Sequence, residues 1–208
     1  MQTMPGNPMI EIQSLGRDIA ACRICRDHPA GEPMAHEPRP VAVLSKVARI
    51  LIAGQAPGLR VHESGIPFND ASGDRLREWL GVDRTRFYDP GNFSILPMGF
   101  CFPGYDSHGS DLPPRKECAP KWRAKALSTM PQVELVLAVG GYAQAWHLGL
   151  KSGVPMTETV RDWRLHLQKG VLPLPHPSWR NTGWLRRNPW FEAELVPELR
   201  RLVLQWIS

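Results

Sequence analysis

Four short apolar runs, each stopping abruptly at a loop rich in Gly, Pro and small polar residues, constrain this chain more than any other feature. They cover residues 48–53, 93–98, 133–139 and 171–174. Stretches with apolar residues at helical spacing lie between and around them. Ile12, Leu15, Ile19 and Cys22 mark a helix over about residues 9–22, and Leu76, Trp79 and Leu80 mark one over 74–80 that Gly81 ends. Further helices are expected over 120–130, 142–150 and 192–207. Short apolar runs alternating with helices are the pattern of βαβ units and a parallel sheet. The expected fold is therefore α/β, in three layers, with a four-stranded parallel sheet flanked by helices.

With 208 residues, 42% of them hydrophobic, and no internal repeat or linker, the chain is expected to form one domain over residues 1–208. No apolar stretch approaches the ~20 residues of a membrane span. Residues 1–9 are polar, with no signal-peptide apolar region. A cytoplasmic monomer is the expectation. The net charge of +5 permits binding to a polyanion without requiring it.

Loops at the carboxyl ends of parallel strands share one rim, where ligands bind. Two stand out: Gly54-Gln55-Ala56-Pro57-Gly58 after the first strand, and His176-Pro177-Ser178 after the last. A loop over 103–114 is also too long to be a simple connection. The four cysteines are Cys22, Cys25, Cys101 and Cys118, the first two forming a C-x2-C. Disulfides are disfavoured in a cytosolic chain. Their number and spacing leave open tetrahedral zinc, an iron–sulfur cluster, or four ordinary buried thiols.

The stretch 50–58, Gly65-Ile66-Pro67-Phe68, the four cysteines in this order and His176-Pro177-Ser178 together resemble the uracil-DNA glycosylase superfamily. The nearest group is the iron–sulfur type called family 4, with Gly-Glu-Ala-Pro-Gly, Gly-Arg-Pro-Phe, a Cys-bounded loop and His-Pro-Ser. Each motif alone is weak; together, and in order, they are specific. The resemblance spans Cys22 to about Asn181. There are departures. Gln55 replaces the loop Glu, and Pro97 stands where a uracil-reading Asn is usual. Asp70-Ala71-Ser72-Gly73-Asp74 resembles the related family 5 instead.

The resemblance implies hydrolysis of the N-glycosidic bond of uracil flipped out of DNA. It implies a structural 4Fe–4S cluster on Cys22, Cys25, Cys101 and Cys118, with zinc as second candidate. His176 would donate a hydrogen bond to uracil O2, where negative charge gathers as the bond breaks. Phe68 would stack on the base, unless it is simply a core residue. Gln55 cannot be deprotonated, so Asp70 is the preferred carboxylate for activating water or facing the sugar cation, with Glu63 and Asp74 in reserve. Asp70 could equally be a helix N-cap. Gly54 and Ala56 would shape the pocket, and Asn69, or more distantly Asn92, would read the base edge. Pro57, Ser178, Arg180 and Asn181 would meet the DNA backbone, with Arg180 as a wedge and Arg186-Arg187 extending the surface.

The partners expected are DNA containing uracil or abasic sites, with uracil as product. Two other readings compete. In one, the chain binds damaged or abasic DNA without catalysis, or holds its product. In the other, it is a metal-stapled nucleotide-binding α/β protein.

Overall fold

The computed structural model describes residues 8–151 and 154–207. Most of the polar stretch 1–9 therefore lies outside the described residues. Four strands form the sheet: β1 (Ile50–Ala53), β2 (Phe93–Ile95), β3 (Leu135–Val139) and β4 (Val171–Leu174). Their order is β2-β1-β3-β4 and every pairing is parallel. Ala53 pairs with Ala138, and Val139 with Leu174, so β1, β3 and β4 all end at one rim.

Before and within the first half of the sheet come helices α1 (Pro8–Ala20), α2 (Ile24–Asp27), α3 (Leu59–Ser64), α4 (Ala71–Leu80) and α5 (Arg84–Tyr88). Then follow α6 (Cys118–Ser128), α7 (Gly141–Leu148), α8 (Met156–Arg161), α9 (Trp163–Leu167), α10 (Thr182–Arg187) and α11 (Val196–Trp206).

Alternate side chains of β1 divide the core into two halves, as the two-residue period of a strand dictates. Ile50 and Ile52 point into a core with Leu76, Trp79 and Leu80 of α4, Phe191, and Leu199 of α11. Leu51 points the other way, toward α1 and α6 through Ile12, Leu15, Trp122 and Ala126. Ala53 and Ala138 pack on Ala143 of α7. All four β1 residues are buried, as expected of a sheet covered on both faces. The outer edge of β2 is covered in turn, where Val43 exchanges backbone hydrogen bonds with Ile95 in an antiparallel bridge.

The four strands and five longer helices stand where the sequence places them, with shifted ends. Helix α4 starts at Ala71 rather than residue 74, because the Asp70 side chain accepts from the Gly73 N–H at 2.8 Å and caps the first turn. Strand β2 stops at Ile95, before Pro97, which has no N–H for the ladder. The C-terminal helix is not continuous over 192–207. Phe191–Leu195 forms a π turn and α11 begins at Val196. Pro197 explains the break, since it cannot donate to the carbonyl four residues back.

Phe68 is the one described non-glycine residue with positive φ, at 53°. Its carbonyl accepts from Arg77 Nη1 and from the Tyr88 hydroxyl, each at 3.2 Å. Gly73 lies directly against it: a Cβ there would fall 1.7 Å from the Phe68 oxygen. We predict that Gly73→Ala destabilises the fold by at least ~3 kcal/mol, the upper end of overpacking costs. Gly58→Ala, where nothing lies within 4 Å, serves as control. Urea unfolding midpoints measure both.

Candidate active site

A cleft of about 530 Å3 opens at the carboxyl rim of the sheet, within the usual range of small-molecule sites (about 300–1,000 Å3). For the strand order seen here, this rim is where such sites form. The turn after β1 supplies Gly54, Gln55, Ala56, Pro57 and Gly58; the exit from β2 supplies Pro97; the turn after β4 supplies His176, Ser178, Arg180 and Asn181. Phe68, Asp70 and Ser72 form another wall. The two turns singled out in the sequence thus border one hollow.

Backbone and side-chain hydrogen bonds fix His176. Its Nδ1 accepts from the Ser178 N–H at 3.2 Å, so in the neutral ring Nε2 carries the proton. The Asn181 amide donates to the His176 carbonyl at 2.7 Å, and Arg75 of α4 donates to the Ser178 carbonyl at 3.0 Å. Gln144 of α7 donates to the Leu174 carbonyl at 2.8 Å, anchoring the end of β4. Gly140, at φ 85°, lets the β3 exit pass beneath the His176 ring. Burial lowers the His176 pKa from its ordinary value; Asp70 opposes that shift and Arg180 adds to it. The neutral imidazole is therefore the favoured form.

The Phe68 ring lies against Gly54, where a Cβ would come within 3.2 Å of Cζ. Its other neighbour is Phe87, edge-on at 6.1 Å. Asp70 is both helix cap and cleft residue. Residues 68, 70 and 72 line the cleft, whereas Asn69 between them does not; its Oδ1 accepts from Arg84 at 3.1 Å. The expectation that Asn69 reads a base edge is thus not met by its placement. Asn92 is buried and donates to the Arg86 carbonyl. Asp74 pairs with Arg77, and neither Asp74 nor Glu63 lines the cleft.

The loop over 103–114 forms a wall that sequence reasoning left without residue roles. Tyr105 bridges Asp111, and Asp106 Oδ1 accepts from the N–H groups of His108 and Ser110. Tyr105, Asp111 and Leu112 line the cleft. Burial raises the Asp111 pKa; Arg180 opposes this and Asp70 adds to it. Trp179, also unassigned from sequence, stands at the mouth, 75% exposed, with Arg180 over its ring at 5.6 Å. Its place beside His-Pro-Ser in a basic stretch was the available signal.

The four cysteines are free thiols that line a second, separate cavity. Trp122 Nε1 donates to Cys22 Sγ at 3.1 Å, and the Phe100 N–H to Cys118 Sγ at 3.3 Å. Arg115 lines the same cavity with its Nε buried and unpartnered. Burial pushes the Cys25, Cys101 and Cys118 thiols up, Cys118 to about 12. Among the described residues no three His, Cys, Asp or Glu side chains converge as ligands of one metal ion. The four cysteines lining one cavity match in number the thiolate ligands of a 4Fe–4S cluster or of one zinc ion. Surrounding N–H donors and an orphaned guanidinium nitrogen fit an anionic group there.

The architecture defines a doubly wound α/β protein with a ligand cleft at the carboxyl rim of its sheet. Residues 42–200 match the uracil DNA glycosylase superfamily, and the chain belongs to that family. Membership brings with it the class of DNA-repair glycosylases, hydrolases that bind DNA. Among the described residues no helix is long and apolar enough to cross a membrane.

His147 on α7 faces Arg123 and is held to a pKa of about 3 by burial and by that cation. A histidine kept neutral in the folded state binds fewer protons than the unfolded chain, so stability falls as pH drops below its ordinary value near 6.5. Between pH 6.5 and 5 we expect His147 to contribute up to ~1.4 kcal/mol per pH unit to that loss. His147→Asn should flatten the slope of urea-unfolding free energy against pH by that amount.

Proposed function

We propose that the protein excises uracil from DNA by hydrolysing the N-glycosidic bond, as a monofunctional glycosylase. The observation that carries this reading is the single cleft bordered by the 54–58 turn, Phe68, Asp70 and the His176 turn. A base in duplex DNA must be flipped out to be reached, at a cost of a few kcal/mol. In the cleft it would stack on Phe68, gaining ~1–3 kcal/mol. The Nε2 proton of His176 would meet uracil O2 as negative charge develops; one such donor is worth ~10²–10³ in rate. Asp70 gives one oxygen to the Gly73 N–H, and its second oxygen would face the sugar cation or orient the attacking water. Gln55 would hydrogen-bond the base or the water through its amide. With Asn69 turned toward Arg84, the base edge would be read by Gln55.

Along the rim of the cleft, Ser178, Arg180 and Asn181 would hold the DNA strand, with Pro57 packed beside it. Trp179 would fill the stack left by the flipped base. We propose that Cys22, Cys25, Cys101 and Cys118 hold a 4Fe–4S cluster. It would act as a clamp joining the α2 loop to the start of α6. Glu117 beside Cys118 already accepts from the Ala30 N–H at 2.7 Å across that junction.

One observation favours a non-catalytic binder of damaged or abasic DNA instead: Asp70 serves as a helix cap and Gln55 is no base. Asp70→Asn separates the two readings, since Asn also caps helices and preserves the fold. We expect this variant to lower single-turnover uracil release ~10²–10⁴-fold while Kd for the oligonucleotide changes little. A uracil-containing oligonucleotide, cleaved by alkali at abasic sites, reports release. Wild-type protein that binds this DNA and never releases uracil would leave the binder reading standing.

Trp179→Ala should weaken DNA binding by ~1–3 kcal/mol without changing the unfolding midpoint. Fluorescence anisotropy at fixed salt measures the loss, and unchanged affinity would remove Trp179 from the interface.

A further inference from the structure

Two arginines lie on the segments that carry the cysteine cavity: Arg115 lines it, and Arg123 follows Trp122, another lining residue, on α6. Arg123 on α6 is fully buried, at 0% exposure. Its Nη1 donates to the carbonyls of Leu96 (3.0 Å) and Pro97 (3.1 Å), and Nη2 faces His147 Nε2. Its Nε has no partner, and among the described residues no carboxylate pairs with it. Arg115 lines the cavity itself. Its Nη2 donates to the Glu32 carbonyl at 2.8 Å and to Glu117 at 3.0 Å, while Nε is buried and unpartnered.

An unpaired buried cation is costly. Glu117 offsets Arg115, but nothing comparable offsets Arg123. Burial lowers the Arg123 pKa to about 10, so the guanidinium stays charged near neutral pH. Cys118, at the start of the same helix, lines the cysteine cavity. Four neutral thiols would supply no counter-charge. An anionic group on the cysteines would supply one, and would also accept from the Arg115 Nε, the Trp122 indole and the Phe100 N–H.

We infer that Arg115 and Arg123 are the counter-cations of the cysteine-held group, raising its reduction potential and slowing its loss. This rests on the reading of the four cysteines as iron–sulfur ligands. Net charge and hydrogen bonds to sulfur set the potential of such clusters. A nearby cation favours the reduced, more negative state, so removing it lowers the potential.

The test uses the full chain purified without oxygen. Iron, acid-labile sulfide and the visible spectrum of the wild type are measured first; absence of iron and sulfide would overturn the cluster reading, and this inference with it. With the cluster present, mediated potentiometric titration compares the wild type with Arg123→Met and Arg115→Met. Each is expected to shift the couple to more negative potential. A tenfold change in the ratio of reduced to oxidised protein corresponds to 59 mV for one electron. Faster bleaching by an iron chelator should accompany the shift. Arg123→Lys and Arg115→Lys, which keep the charge, should recover most of it. If Arg123→Met does not fold, Arg115→Met, at a partly exposed position, carries the test. Equal potentials in all folded variants, with the cluster present, would overturn the inference and leave the cluster reading intact.

Discussion

The parallel ladder between β1, β3 and β4 is the constraint on which the cleft depends. Ala53 pairs with Ala138 and Val139 with Leu174, so three strands release their chains at one level. The turn at 54–58 and the turn at 176–178 lie more than a hundred residues apart in sequence, and only this register brings them to a common hollow. A slip of one residue would turn every buried side chain of a strand to the opposite face. Ile50 and Ile52 would then leave the α4 and α11 core for the side now packed by α1 and α6. The hydrophobic core and the geometry of the cleft are therefore secured by the same backbone pairings.

A second constraint acts locally. Phe68 adopts a left-handed backbone, unusual for a bulky residue, and three groups hold it there: Arg77, Tyr88 and the bare face of Gly73. Such conformations persist where their surroundings over-determine them, and they concentrate at functional sites. Here the kink sets Phe68 and Asp70 on the cleft wall and leaves Asn69 beside Arg84. The segment resembling family 5 in sequence thus has a physical reason for its glycine.

Much of the architecture was legible in the sequence because both faces of the sheet are buried. Runs such as Leu135–Val139 can then be apolar throughout and stand out. The helices α3, α5, α8, α9 and α10 were not legible, since five or six residues are too few to display a period. The cleft turns were visible as Gly/Pro punctuation after strands. Asn69 was placed by its nearness in sequence to Phe68, which says nothing of the direction a kinked chain gives to successive side chains. Asp111 was missed for a related reason. It lies in a loop whose fold depends on the Asp106 turn. Arg123 carries no sequence signal at all: an arginine on a helix is ordinarily a solvent residue, and only the packing of α6 buries it.

The cap formed by Asp70 bears on the cleft as well as on folding. A carboxylate already tied to the start of a helix has surrendered its rotamer freedom before any ligand arrives. Immobilising a side chain on association ordinarily costs ~0.5–1.5 kcal/mol. For Asp70 that entropy is lost during folding, so any ligand entering the cleft meets a carboxylate that is rigid beforehand.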